Sequence, residues 1–94
     1  RKKTMVIHQQ PECLNHAIRV ARRFWEAGHA ALVEYAAQKF KKQFQRANRI
    51  GADFAVIIGP EEIRTGELSI KNLKTREQES IKEKDLTKWQ KKNL

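Results

Sequence analysis

Apolar residues change their spacing along this chain in a regular order, and each change marks an element. "TMVIH" (4–8) is short and rich in β-branched and apolar residues, which predicts a strand. Pro11 follows and suits a turn or the first position of a helix. Leu14, Ala17, Ile18, Ala21, Phe24 and Trp25 then recur at spacings of three and four, the stripe of a helix that Gly28 ends. "AALVEY" (30–35) predicts a second strand. Phe40, Phe44 and Ala47 line one side of a second helix, "QKFKKQFQRANRIG" (38–51), closed by Gly51. "DFAVIIG" (53–59) has a continuous apolar core, which predicts a central strand covered on both faces.

After Gly59 the pattern changes. "PEEIRTG" (60–66) predicts a turn with room for one helical turn. "ELSIKNL" (67–73) alternates Leu68 and Ile70 with polar residues, as a half-exposed strand does. "KTRE" separates it from "QESI" (78–81), the second arm of a hairpin. In "EKDLTKWQKKNL" (83–94), Leu86, Trp89, Gln90 and Asn93 share a face, so a last short helix docks through Leu86 and Trp89. Helices between the first three strands make parallel crossovers the natural topology. The predicted fold is α/β: one mixed five-stranded sheet flanked by three helices, in the order β-α-β-α-β-β-β-α. The 94 residues suffice for one compact domain, with no repeat or linker to divide them.

Charge adds a partner to this picture. The formal net charge is +9, and it is lopsided: residues 1–49 hold 11 basic and 3 acidic residues, residues 50–94 hold 9 and 8. Such a field favours nucleic acid or an anionic membrane surface. On the second helix Lys42, Arg46 and Arg49 fall within about 60° of one another, opposite Phe40 and Phe44. That face is either the wet side of a helix on a sheet or a surface for a polyanion. Membrane binding requires exposed large apolar residues beside the lysines. The apolar stripes here are needed for the fold, so no membrane partner is expected. No apolar run approaches the ~20 residues that cross a bilayer, and no signal peptide is visible. The single cysteine, Cys13, allows neither an internal disulfide nor a CxxC metal knuckle and fits the cell interior. A cytoplasmic location is expected, with an organellar one left open. The chain starts at Arg1 rather than Met, which raises the expectation of a fragment of something larger.

Catalytic groups are sparse. His8, His16 and His29 form no HxxxH or HExxH arrangement, and a zinc site needs three or four convergent ligands. Cys13 and His16 are three apart on a helix, yet a nucleophilic thiol also needs activation and an oxyanion site. Glu61, Glu62 and Glu67 surround a turn without the fixed separation that paired carboxylate chemistry requires. The glycines stand singly at element ends, so neither a dinucleotide nor a P-loop site is supported. The expectation is no catalytic residue and no metal in this chain.

Binding chemistry concentrates in "EYAAQKFKK" (34–42), where a strand ends and a helix begins. Open α/β sheets place ligands at that position. Glu34, Tyr35 and Gln38 are candidates for base-edge hydrogen bonds or stacking, and Lys39, Lys41, Lys42 and Arg46 for phosphate contacts. Gln9, Gln10 and Glu12, after the first strand, belong on the same rim of a parallel pair, with Gln10 and Glu12 added as base-contacting candidates. Amides and a carboxylate amid positive charge suit the reading of bases in a single-stranded RNA loop. Duplex DNA fits less well, since no helix-turn-helix or finger signature is present.

The segment "EYAAQKFKKQFQRANRIGADFAVIIGPEEIRTGELSIKNLKTREQESI", with "HAIRVARRFWEAG" before it, resembles the C-terminal anticodon-binding domain of class II aminoacyl-tRNA synthetases. Within that group it is most similar to histidyl-tRNA synthetase, over residues 4 to about 90. The resemblance implies an α/β domain that grips the anticodon stem-loop of histidine tRNA. It also implies a parent, homodimeric, in which a separate catalytic domain uses ATP and Mg²⁺. No cofactor is expected in the present segment. Many bacterial relatives carry a "YGGRSLKKQ"-like stretch where this chain has "YAAQKFKKQ". Tyr35 and Lys41–Lys42–Gln43 match, while Ala36, Ala37 and Gln38 stand in place of two glycines and an arginine. The same fold occurs in synthetase-like regulatory proteins that do not aminoacylate, and this substitution keeps such a parent as the alternative.

Overall fold

A computed structural model describes residues 1–94. Strand β1 (Lys3–His8) leads through a 3₁₀ turn (Pro11–Cys13) into helix α1 (Leu14–Glu26). Then come β2 (Ala30–Val33), α2 (Phe40–Arg49), β3 (Phe54–Ile58), α3 (Pro60–Thr65), β4 (Glu67–Asn72) and β5 (Gln78–Lys82). A second 3₁₀ turn (Glu83–Asp85) leads into α4 (Leu86–Asn93). The strands form one sheet in the order β2-β1-β3-β4-β5. The first three run parallel, with Thr4 opposite Ala31 and Phe54, whereas β3, β4 and β5 are antiparallel neighbours.

Alternation along β1 and β3 divides the core between two faces. Val6, Phe54, Val56 and Ile58 meet Ala17, Val20, Ala21 and Phe24 of α1 and Leu86 and Trp89 of α4. The Trp89 ring sits edge-on to Phe54 at 4.9 Å and to Phe24 at 6.3 Å between centroids. Met5 and Ile7 point the other way and are covered by Phe40, Phe44 and Ala47 of α2. The expected central strand 53–59 is indeed inside the sheet, and the last helix docks through Leu86 and Trp89.

Two expectations change. Residues 60–65, expected as a turn, form α3, so four helices rather than three flank the sheet. Pro60 supplies the fixed φ of a first helical position. The Glu62 carboxylate accepts the Gly59 N–H at 2.9 Å, and Gly66, at φ 73°, ends the helix in the left-handed region. The second strand stops at Val33 and α2 starts at Phe40, leaving residues 34–39 as a loop. Glu34, whose N–H still donates to Val6 O at 3.0 Å, and exposed Tyr35 therefore lie at the end of the sheet.

Candidate nucleic-acid interface

The C-terminal ends of β1, β2 and β3 share one rim because these strands are parallel. The chain passes from β1 to β2 on one side and returns as β3 on the other. Strand order thus reverses between β1 and β3, where open α/β sheets bind ligands. A crevice of about 320 Å³ lies there, lined by Gln9 and Gln10 after β1, Gly59–Glu62 after β3, and Phe40 at the start of α2. Glu12 faces elsewhere, into a separate crevice with Arg19 and Arg22 beside α1. Gln10 therefore joins the expected site, and Glu12 does not.

Beneath the rim lies a buried polar network. The Gln43 side chain, almost fully buried, accepts the His8 N–H at 3.1 Å and donates to the carbonyls of His8 and Gln38, both at 2.7 Å. The His8 ring spans Gln10 O (2.9 Å from Nδ1) and Glu34 O (2.7 Å from Nε2). Arg46 Nη1 donates to Glu34 Oε2 at 2.8 Å, with 48% of the Arg46 side chain still exposed against 6% for Glu34. Gln38 Nε2 reaches Glu34 Oε1 at 3.4 Å. Glu34 thus lies under the rim, not on it as a base-contacting carboxylate would. Its burial is compensated by Arg46, which keeps its outer edge in solvent.

Above this network the rim is exposed and unpaired. Tyr35 is 61% accessible. Lys39, Lys41 and Lys42 are exposed and take part in none of the chain's three ion pairs. They cluster at the start of α2, where Lys39 provides no side-chain cap and the first turn has no acidic residue. The N–H groups of Phe40 and Lys41 have no acceptor in the chain. Positive charge at a helix N-terminus opposes the macrodipole and suits a bound anion better than folding. The two carboxylates bordering the crevice are already engaged, Glu61 with Arg64 at 2.6 Å and Glu62 with Gly59 N–H and Ser69 Oγ. The bond from Arg64 holds the Glu61 carboxyl below its usual range.

Sequence reasoning missed Gln43 and His8 as organisers of the rim. A signal for Gln43 was present: it falls three residues after Phe40 and four before Ala47, inside the apolar stripe of α2.

The Cys13–His16 pair is not assembled. Cys13 is buried, while His16 Nε2 pairs with Glu83 at 2.7 Å and Nδ1 accepts from Arg19. Burial, reinforced by Glu12 and Glu62, pushes the Cys13 thiol up. The unfolded chain ionises this thiol near its ordinary ~8.5 while the fold holds it neutral, so its contribution to stability is lost as pH rises above that value. Urea midpoints at increasing alkaline pH should therefore fall more steeply for the native chain than for Cys13→Ala.

A family model described as "Anticodon binding domain" matches residues 3–93. The histidine–tRNA ligase of Archaeoglobus fulgidus is 40% identical over 72 residues, covering 77% of this chain and 18% of that protein. That of Listeria monocytogenes is 38% identical over 78 residues, covering 83% and 18%. The histidyl-tRNA synthetase structure from Nostoc sp. PCC 7120 superposes with a TM-score of 0.89 at 29% identity, over 99% of this chain and 21% of that one. The RNA-binding domain of threonyl-tRNA synthetase from Cryptosporidium parvum shares the fold, with a TM-score of 0.83 at 18% identity, over 92% of this chain and 22% of that one. The chain belongs to the anticodon-binding domain family of class II synthetases. The curated relatives named above are histidine–tRNA ligases, and the chain spans 18% of their length.

Proposed function

We propose that residues 1–94 form the tRNA-holding domain of a longer histidine–tRNA ligase and grip the anticodon stem-loop of histidine tRNA. The reading is carried by the unpaired lysines at the start of α2, set beside exposed Tyr35 and the β1/β3 crevice. Lys39, Lys41, Lys42 and the outer edge of Arg46 hold phosphates. Tyr35 stacks on a base, and Gln10 and Gln38 offer amides to base edges. Glu34 acts through Arg46 and the loop it fixes. Holding the hairpin places the distant acceptor end of the tRNA near the catalytic domain, so binding energy is used for positioning. No three His, Cys, Asp or Glu side chains converge here to hold a metal, and in this reading ATP and Mg²⁺ belong to the catalytic domain. That parent acts as a homodimer in the cytoplasm. No helix of the chain is long and apolar enough to cross a membrane.

The test is a titration with a labelled histidine-tRNA anticodon stem-loop and with the same hairpin carrying scrambled anticodon bases. Tighter binding to the cognate loop is expected. Tyr35→Ala should cost about 1–3 kcal/mol, the usual worth of one base–aromatic stack. Equal affinity for both loops would reduce the domain to an electrostatic clamp. Absence of binding at low salt would favour the regulatory alternative.

A further inference from the structure

A crevice larger than the one at the β1/β3 junction lies elsewhere in the molecule. It lies between β5 and α4, measures about 610 Å³, and is lined by Lys82, Lys84, Lys88 and Lys92 with two carboxylates, Glu67 and Asp85. None of these four lysines takes part in an ion pair. Lys84, Lys88 and Lys92 recur every four residues, so they stack along one side of the last turn and helix at about 6 Å intervals. Trp89 also lines the groove, and its indole N–H is buried without an acceptor. Four lysines lining one concave surface, none of them ion-paired, describe a site for anionic oxygens. Protein interfaces are depleted in lysine, whereas lysine serves as a point charge for phosphates.

Position selects the occupant. β4 is antiparallel to β3 and β5 to β4, so β5 ends at Lys82 on the same end of the sheet as the rim. The groove starts there and follows α4 away from it. Four strand spacings separate β2 from β5, roughly 19 Å. That is the rise of about seven base pairs of an A-form RNA helix, at about 2.8 Å each. We propose that the β5–α4 groove is a second RNA contact, which takes the phosphates of the helical stem while the rim holds the single-stranded loop. The inference rests on the proposed anticodon stem-loop reading and adds to it where the stem lies.

The test compares the 94-residue chain with Lys84→Gln/Lys88→Gln/Lys92→Gln. The probes are the labelled histidine-tRNA hairpin and its loop strand alone, at about 50 and 200 mM salt. The groove variant should bind the hairpin roughly tenfold more weakly, with a salt slope shallower by about 2, and bind the loop strand as the unmodified chain does. A control variant, Arg1→Gln/Arg49→Gln/Lys74→Gln, removes equal charge from the opposite end of the sheet and should leave hairpin binding within about twofold. Thermal unfolding of each variant confirms the fold. Unchanged hairpin affinity and slope in the groove variant would overturn the groove. So would equal losses for both probes, or an equal loss in the control, since either reduces the lysines to a general field. A parallel Lys39→Ala/Lys41→Ala/Lys42→Ala variant judges the rim separately: if it alone keeps full affinity, the rim reading falls and the groove stands. Failure of the unmodified chain to bind either probe at low salt overturns both.

Discussion

Gln43→Leu is expected to destabilise the domain by about 3 kcal/mol, although it removes no charge and almost no volume. Three hydrogen bonds end on this side chain, and two of them satisfy the N–H and C=O of His8 at the buried end of β1. A leucine leaves both groups unpaired where water does not reach, at roughly 1–3 kcal/mol each. For a domain of this size that corresponds to a fall in melting temperature of roughly 12–24 °C. Gln43→Glu keeps the acceptor for the His8 N–H but sets a carboxylate against two carbonyl oxygens, and should be at least as damaging. Gln45→Leu, on the exposed side of the same helix, should shift stability by no more than about 0.5 kcal/mol. The measurement is urea unfolding followed by circular dichroism. A Gln43→Leu midpoint matching that of Gln45→Leu would show that the network does not hold the rim. RNA affinity should fall with Gln43→Leu as well, because the bond to Gln38 O fixes the loop that carries Tyr35 and Lys39.

Replacing Lys39, Lys41 and Lys42 together by alanine should have the opposite signature. Affinity for the histidine-tRNA hairpin should fall about 1,000-fold at low salt, since three charge-assisted contacts of roughly 1.5 kcal/mol each are lost. The slope of log affinity against log salt should become shallower by about 2–3. Stability, however, should stay level or rise by a few tenths of a kcal/mol, because cations at a helix N-terminus oppose its dipole. Lys41→Glu alone should also raise stability, by placing a carboxylate in the first turn, while weakening RNA binding. Binding isotherms and urea unfolding on the same preparations separate the two effects. If the lysines were only the solvated face of a helix, the triple variant would keep its affinity and the argument for the rim would fail. On the proposed reading, the bare cap is local instability retained at a site of use.

How much of this was legible follows from the range over which each signal acts. The strands at 4–8, 53–59 and 67–73 and the helices over Leu14–Trp25 and Phe40–Ala47 were read correctly because their periods of two and 3.6 are properties of neighbouring residues. The division of the basic charge was equally plain, and it pointed to the end of the sheet where Lys39, Lys41 and Lys42 stand. The helix at 60–65 was only half visible: Pro60 and Gly66 mark its ends, but the bond from Gly59 N–H to Glu62 lets so short a segment close. Glu34 read as a surface carboxylate because nothing near it in the chain reveals Arg46, twelve residues on and across the sheet's end.

By itself, then, the sequence determined the elements, their order, the amphipathic faces and the sign and uneven placement of the chain's own charge, all of which depend on short-range repeats and on counting. The tertiary structure alone decided which partners the inward-facing polar side chains meet. A hydrogen-bond partner is chosen by packing between elements far apart in the chain, as with Gln43 and His8. No local period encodes that distance.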